Sequence, residues 1–130
     1  MNIRKEKRTN FMFLSLTGDL DERNSQQIED NLLGIIGEGA RQLIIDCSQI
    51  ESINNAGLRM LMNVSRRVVQ LDGRVALHSP SAAAKDMFDR TGFAMVSRIY
   101  DTREEAIAGV AASGILATPR DANRGSQNQQ

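Results

Sequence analysis

The sequence predicts an α/β domain, a mixed β-sheet of about four or five strands with about four helices packed on it. Three observations lead there. Leu43-Ile44-Ile45-Asp46-Cys47 is a short apolar run of the kind found in central strands covered on both faces. A helical stripe and then Val75-Ala76-Leu77 follow it, and strand, helix and strand at that spacing form a right-handed βαβ crossover. The chain has 130 residues, about one ordinary domain, and its 41% apolar content includes no Trp and few aromatics. A core of Ile, Leu, Val, Met and Ala suits helices packed on a sheet.

The elements can be justified in order. Ile3 to Arg8 is charged with little apolar content, which reads as an edge strand, and a tight turn at Thr9-Asn10 leads into a more buried strand through Phe11, Phe13, Leu14 and Leu16 up to Thr17-Gly18. Ile28, Leu32, Leu33, Ile35 and Ile36 recur near helical spacing, with Asn24 as N-cap, Gln27 three residues later and Gly34, Gly37 and Gly39 as the stop. After the strand at Leu43 and a loop, Leu58, Leu61, Met62, Ser65, Val68 and Val69 mark a longer helix closed by Asp72-Gly73. Ser79-Pro80 fits an N-cap followed by proline at the first helical position of a short helix through Ala84, Met87 and Phe88, which stops at Gly92. A further short strand is expected near Val96 to Ile99. Thr102-Arg103-Glu104-Glu105 is a capping box that starts a last helix through Ala106, Ile107 and Val110. From Gly114 the apolar pattern fades, so the expected division is a domain over residues 1–113 and a polar, disordered tail over 114–130.

Composition narrows the function classes. Sixteen basic and sixteen acidic residues balance, so no global field draws the chain to nucleic acid or an anionic membrane. A single Cys, Cys47, excludes an internal disulfide and reads as a small buried hydrophobe in a reducing compartment. The charged N-terminus lacks an apolar signal segment, and no stretch approaches the ~18 apolar residues of a membrane span. The expected location is the cytoplasm, without membrane insertion.

Catalytic chemistry finds no foothold. One Cys and one His cannot supply the donor set of a metal site. His78 closes a strand and reads as a surface or hydrogen-bonded residue; a Ser-His-Asp triad could be assembled from it on paper, but no Gly-x-Ser-x-Gly elbow exposes a serine. Neither phosphate-cradling glycine motif is present. Asp19 and Asp21 flank Leu20 at a spacing that could serve an acid pair, though loop carboxylates that help start the next helix are the simpler reading. The expectation is therefore no enzyme, no catalytic residue, no metal and no cofactor.

The informative stretch runs from Asp46 to Leu58. It joins a buried strand to a helix, the place where open α/β sheets present functional groups outside the carboxyl ends of their strands. Its small polar residues leave backbone and helix N-terminus accessible, which suits an anion or the surface of a partner.

Here the chain resembles the STAS domain family of bacterial anti-sigma-factor antagonists and of modules attached to sulfate transporters. The matching features are Leu16-Thr17-Gly18-Asp19-Leu20-Asp21, Leu43-Ile44-Ile45-Asp46-Cys47-Ser48, Ile53-Asn54-Asn55-Ala56-Gly57-Leu58 and the late Glu104-Glu105-Ala106 helix, spanning roughly residues 3–112. The family's loop is approximately Ile-Asp-Ser-Ser-Gly-Leu, and in many antagonists its second Ser is phosphorylated by the cognate anti-sigma factor, itself a Ser/Thr kinase. That position is Ala56 here, and the preceding Asp and Ser are replaced by Asn54 and Asn55.

The resemblance implies a partner-switching module of transcription regulation and signal transduction, whose partner is an anti-sigma factor of the Ser/Thr kinase type or a related regulator. Nucleic acid is not expected as a partner, and a homodimer stays open. The implied partner-binding surface comprises Asp19, Asp21, Ser52, Asn54, Asn55, Ala56, Gly57, Arg59 and Asn63. Without a hydroxyl, Ala56 marks a non-phosphorylatable equivalent of the phosphosite, and Ser52 is the nearest hydroxyl upstream. The alternative is a non-switching scaffold subunit of a signalling complex or of a lipid-transport ATPase.

Overall fold

A computed structural model describes residues 2–8, 11–93 and 97–116. In chain order they form β1 (Asn2–Arg8), β2 (Phe11–Leu20), α1 (Ser25–Gly37), β3 (Gln42–Ile53), α2 (Asn55–Gln70), β4 (Arg74–His78), α3 (Ala82–Thr91), β5 (Arg98–Tyr100) and α4 (Arg103–Leu116). The strands make one mixed sheet in the spatial order β1-β2-β3-β4-β5, with β1 antiparallel to β2 and every later pair parallel. The charged β1 takes the edge, where lysines and arginines discourage pairing with a second chain.

Alternation along β3 explains its apolar run. Leu43, Ile45 and Cys47 join the main core with Leu14, Leu16, Leu20 and the inner faces of α1, α2 and α3. Ile44 points to the other face, where Ala76, Ala106 and Val110 form a smaller cluster beneath α4. Burying both faces is what allows a central strand to dispense with polar residues. The α2 stripe is wider than the sequence suggests: Met60 and Val64 are buried as well, and Val69 is exposed.

Several elements depart from the sequence-based expectation, each for a local reason. The segment after Cys47, expected as a loop, continues β3 to Ile53. Between Ser15 and Thr17 on β2, and again between Gly18 and Asp19, the register shifts so that β3 carries an extra residue each time. Such bulges break strict alternation, so Cys47, Ile50 and Ile53 recur every third residue and disguise a strand. Asn24 does sit at the N-cap of α1, but its side chain caps nothing there. It works backwards, accepting from the Asp21 backbone N–H at 3.1 Å and donating to the Asp19 carbonyl at 2.6 Å.

Helix α3 is capped by Ser81, whose hydroxyl accepts from the Ala84 N–H at 3.2 Å, and not by Ser79. Ser79 has a left-handed backbone, φ 54°, and its hydroxyl donates to the Asp101 carbonyl, tying β4 to the chain after β5. The strand expected at Val96 to Ile99 is β5 at Arg98–Tyr100; residues 94–96, like the turn at Thr9-Asn10, lie outside the described residues. Thr102 caps α4 by accepting from the Glu105 N–H at 3.2 Å. That helix runs to Leu116, three residues past the boundary expected at 113, and residues 117–130 lie outside the described part.

Glycines at two places fix how close the layers come. A Cβ on Gly57 would overlap the Leu20 carbonyl, so the first turn of α2 meets the end of β2 through a bare backbone, and one on Gly73, in the turn after α2, would overlap the Arg41 carbonyl just before β3. Gly34, by contrast, lies exposed in α1 with nothing near the site of a Cβ. Gly57→Ala is expected to cost about 1–3 kcal/mol through overpacking, whereas Gly34→Ala is expected to gain about 1 kcal/mol of helix propensity. Urea midpoints measured at unchanged m-values check both signs.

His78 is buried at the end of β4, with Nδ1 2.8 Å from the Ser79 hydroxyl. Burial is the main cause that holds its pKa below the ordinary value; Arg103 acts in the same sense and Asp46 opposes it. With the folded pKa lowered, the unfolded chain binds the proton first as pH falls. His78 therefore stabilises the fold fully above about pH 6.5 and progressively less below it, until the folded ring also titrates. The urea midpoint is expected to drop between about pH 7.5 and 5.5, and to drop less in His78→Gln.

Candidate functional site

The carboxyl ends of β2 and β3 lie side by side, with Asp19 paired to Ser52 and Leu20 to Ile53, and α2 begins two residues later. This is the crevice that an open parallel sheet leaves outside its strand ends. One atom organises it. The Leu20 carbonyl accepts the Asn54 N–H at 3.2 Å and abuts Gly57, so the first turn of α2 is pressed onto the end of β2.

Asn54 then caps the helix. Its Oδ1 accepts from the Ala56 N–H at 3.0 Å and the Gly57 N–H at 3.2 Å, two of the donors that a helix N-terminus leaves without partners. Its Nδ2 donates to Glu22 Oε1 at 2.6 Å, across the crevice. A neutral amide thus occupies the position at the positive end of the helix dipole where an anion would be favoured, and no acidic side chain lies in the first turn.

The acidic rim is tied down in the same way. The Ser52 hydroxyl donates to Asp19 Oδ1 at 2.7 Å, clamping the two strand ends together. Arg23 Nη2 donates to Asp21 Oδ2 at 2.6 Å and the Arg23 backbone N–H to Asp21 Oδ1 at 3.0 Å, while the guanidinium also reaches Asp19 at 4.0 Å. That side-chain hydrogen bond from Arg23 holds the Asp21 carboxyl below the usual carboxylate range. Asp21 is therefore ionised at neutral pH, and both carboxylates are engaged by neighbouring donors, Asp21 by Arg23 and Asp19 by Ser52.

Of the residues expected at a partner surface, the structure gathers Asp19, Asp21, Ser52, Asn54, Asn55, Ala56 and Gly57 around this crevice. Asn55 is exposed and Ala56 half-buried, so the Ala56 methyl is within reach of a visitor, whereas Gly57 is buried and contributes by letting the helix approach. Arg59 and Asn63 are exposed farther along α2, one and two turns from the cap. Reading the sequence missed Glu22, Arg23 and Asn24 as members. The signal was there in Asp21-x-Arg23-Asn24, an acid, a base and an amide within one turn, but nothing in sequence spacing brings Glu22 to Asn54.

His78 and Cys47 stand apart from the crevice. His78 pairs in register with Asp46, seven residues before Ile53 on β3, roughly 20 Å away along an extended strand. It lines an open cavity of about 220 Å³ on the α4 side of the sheet with Arg4, Phe13, Asp46 and Arg103, whose guanidinium lies 4.1 Å from the Phe13 ring centre. Burial pushes the Cys47 thiol far up, so it is no nucleophile at neutral pH. Among the described residues no group of three or more His, Cys, Asp or Glu side chains could hold a metal ion, and no helix is long and apolar enough to cross a membrane.

Comparison with known proteins agrees with this architecture. A protein of Bordetella bronchiseptica named as the anti-sigma factor antagonist BtrV is 25% identical over 108 residues, covering 83% of this chain and 93% of its own length. An anti-sigma factor antagonist of Thermotoga maritima, known from its crystal structure, superposes with a TM-score of 0.79 at 21% identity, covering 84% of this chain and 94% of that one. The anti-sigma factor antagonist SpoIIAA in its unphosphorylated form gives a TM-score of 0.72 at 24% identity, over 85% of this chain and 97% of that one, and its phosphorylated form is also similar. The family model for the STAS domain matches residues 2–106. A match over that much of the sequence, joined to the five-stranded mixed sheet and its four helices, shows that this chain belongs to the STAS domain family.

Proposed function

We propose that this chain acts by binding a protein, as an anti-sigma-factor antagonist in a bacterial partner-switching system, and that its docking face is permanently in the unphosphorylated-like condition. Its relatives BtrV and SpoIIAA are named as such antagonists, and SpoIIAA is known in phosphorylated and unphosphorylated forms. The partner is an anti-sigma factor of the Ser/Thr kinase type or a related regulator in the cytoplasm, with no catalysis by this chain. The contact surface is Asp19, Asp21, Ser52, Asn54, Asn55, Ala56, Arg59 and Asn63, with Gly57 setting the position of the helix.

One observation carries the reading. The Ala56 and Gly57 N–H groups are already satisfied by the Asn54 amide, and Ala56 presents a methyl where a family member presents an acceptor hydroxyl. A phosphoserine at a helix start adds roughly −1.5 to −2 charge and sits well on the dipole, so its target is the partner packed over it and not the fold. Ala56 cannot acquire that charge.

The same methyl favours a second reading, a scaffold subunit of a signalling complex or a lipid-transport ATPase that never needs to switch. Sedimentation in a large particle, with no exchange between partners, would mark that role.

Purified kinase-type anti-sigma factor from the same organism provides the test. Ala56→Asp is expected to weaken binding at least tenfold by calorimetry, about 1.4 kcal/mol, because it places a charge in the contact. Ala56→Ser is expected to accept phosphate from ATP in the presence of the kinase and then to release it. Unchanged affinity in Ala56→Asp would remove this loop from the contact.

A further inference from the structure

The outer face of α2 carries more charge than the docking end uses. Its sixteen residues include Arg59, Arg66 and Arg67 and no Asp or Glu. Arg59, Asn63, Arg66, Arg67 and Gln70 are all exposed, at the i, i+4, i+7, i+8 and i+11 positions that share one helix face. Toward the C-terminal half of α2 this stripe borders a shallow groove of about 650 Å³ between α1 and α2. Arg41, Arg66 and Arg67 line the groove, and no carboxylate does.

The groove combines fixed and unpartnered cations with apolar surface. Arg41 is fixed at its lip by donating through Nη1 to the Ile36 carbonyl at 2.7 Å and the Ala40 carbonyl at 2.8 Å. The side chains of Arg66 and Arg67 have no hydrogen bond or ion pair among the described residues. Leu33 and Leu71, both half-buried, contribute apolar surface to the groove, and a Cβ on Gly37, at the α1 wall, would meet nothing. Three cations around an apolar strip complement a helix with carboxylates on one side and aliphatic side chains on the other.

The charge at the other end of α2 decides which anion. Asp19, Asp21 and Glu22 lie around its N-terminus, tied to Ser52, Arg23 and Asn54, while Arg66 lies eleven residues from Asn55, about 16 Å along the helix. A nucleic acid duplex or an anionic membrane laid along the full length of α2 would be set directly against those carboxylates, which Arg23 only partly offsets. A short acidic segment confined to the groove would not.

The geometry points to the α1–α2 groove as the seat of an acidic amphipathic helix of the protein partner, held by Arg41, Arg66 and Arg67, so that the docking face has two poles: an acid-rimmed end around Ala56 and a basic end at Arg66 and Arg67. This deepens the antagonist reading and rests on it for the identity of the partner, but the groove's chemistry can be examined alone. The probe is a 16-residue helical peptide with Glu at i, i+4 spacing and Leu on the adjoining face, titrated into the isotopically labelled chain at low ionic strength and followed by amide shifts.

The expected shifts centre on Gly37, Asn63, Arg67, Gln70 and Leu71. The Arg66→Glu, Arg67→Glu double variant is expected to weaken binding at least tenfold, the Arg66→Gln, Arg67→Gln pair by less, and about 0.2 M salt to weaken it too. Ala56→Asp should leave the peptide affinity as it is; kinase binding that fails while the peptide still binds through Arg66 and Arg67 overturns only the antagonist reading. Shifts centred on another surface, equal binding of a Lys-for-Glu peptide, or no effect of either double variant overturns the groove assignment. So does tighter Arg66- and Arg67-dependent binding of a 20-base-pair duplex or of phosphatidylserine vesicles, or self-association that the double variant abolishes, which would give the groove to a polyanion or to a second copy.

Discussion

The Leu20 carbonyl is the contact on which the crevice depends. It ends β2, receives the Asn54 N–H, and lies so close to Gly57 that no side chain fits between them. A helix pressed this tightly onto a strand end cannot shift without losing the hydrogen bond or opening a gap, and dense packing makes either change costly. The cap, the strand clamp and the exposure of Ala56 all follow from that placement.

Neutrality at the helix N-terminus is arranged on this rigid base. A helix start attracts anions, and a family loop with Asp at the cap and a phosphorylatable Ser would place negative charge there. In this chain an asparagine supplies the same acceptor oxygen without the charge, and its amide nitrogen is free to donate to Glu22. The Asn-Asn-Ala sequence therefore caps the helix without placing a charge at the cap. That combination, more than the missing hydroxyl alone, motivates the reading of a docking face without a phosphorylation switch.

Zero net charge conceals a strongly patterned surface. Carboxylates collect where the strands end, while α2 beyond its first turn carries only cations, so the helix separates an acidic rim from a basic groove. Such a pattern orients a partner better than it attracts one, since opposite poles fix register while long-range attraction cancels. The α4 side of the sheet is different in kind: its cavity mixes Arg4 and Arg103 with Asp46 beside the buried His78, and no single charge dominates.

Period and punctuation in the sequence determined the element order, the two-faced burial of β3, the Thr102 cap and the αL stop at Gly92, because each is a property of neighbours along the chain. The loop around Ala56 was legible for the same reason, through its match to a short family pattern. What only the tertiary structure decided are the pairings between distant residues: the bulges that keep β3 going to Ile53, Ser52 on Asp19, Glu22 on Asn54, and the approach that makes Gly57 a spacer. The basic groove belongs with them, since Arg41 meets Arg66 and Arg67 only when α1 packs on α2. Side chains twenty or thirty residues apart leave no periodic trace of their partnership, and only the packed sheet brings them within hydrogen-bonding distance.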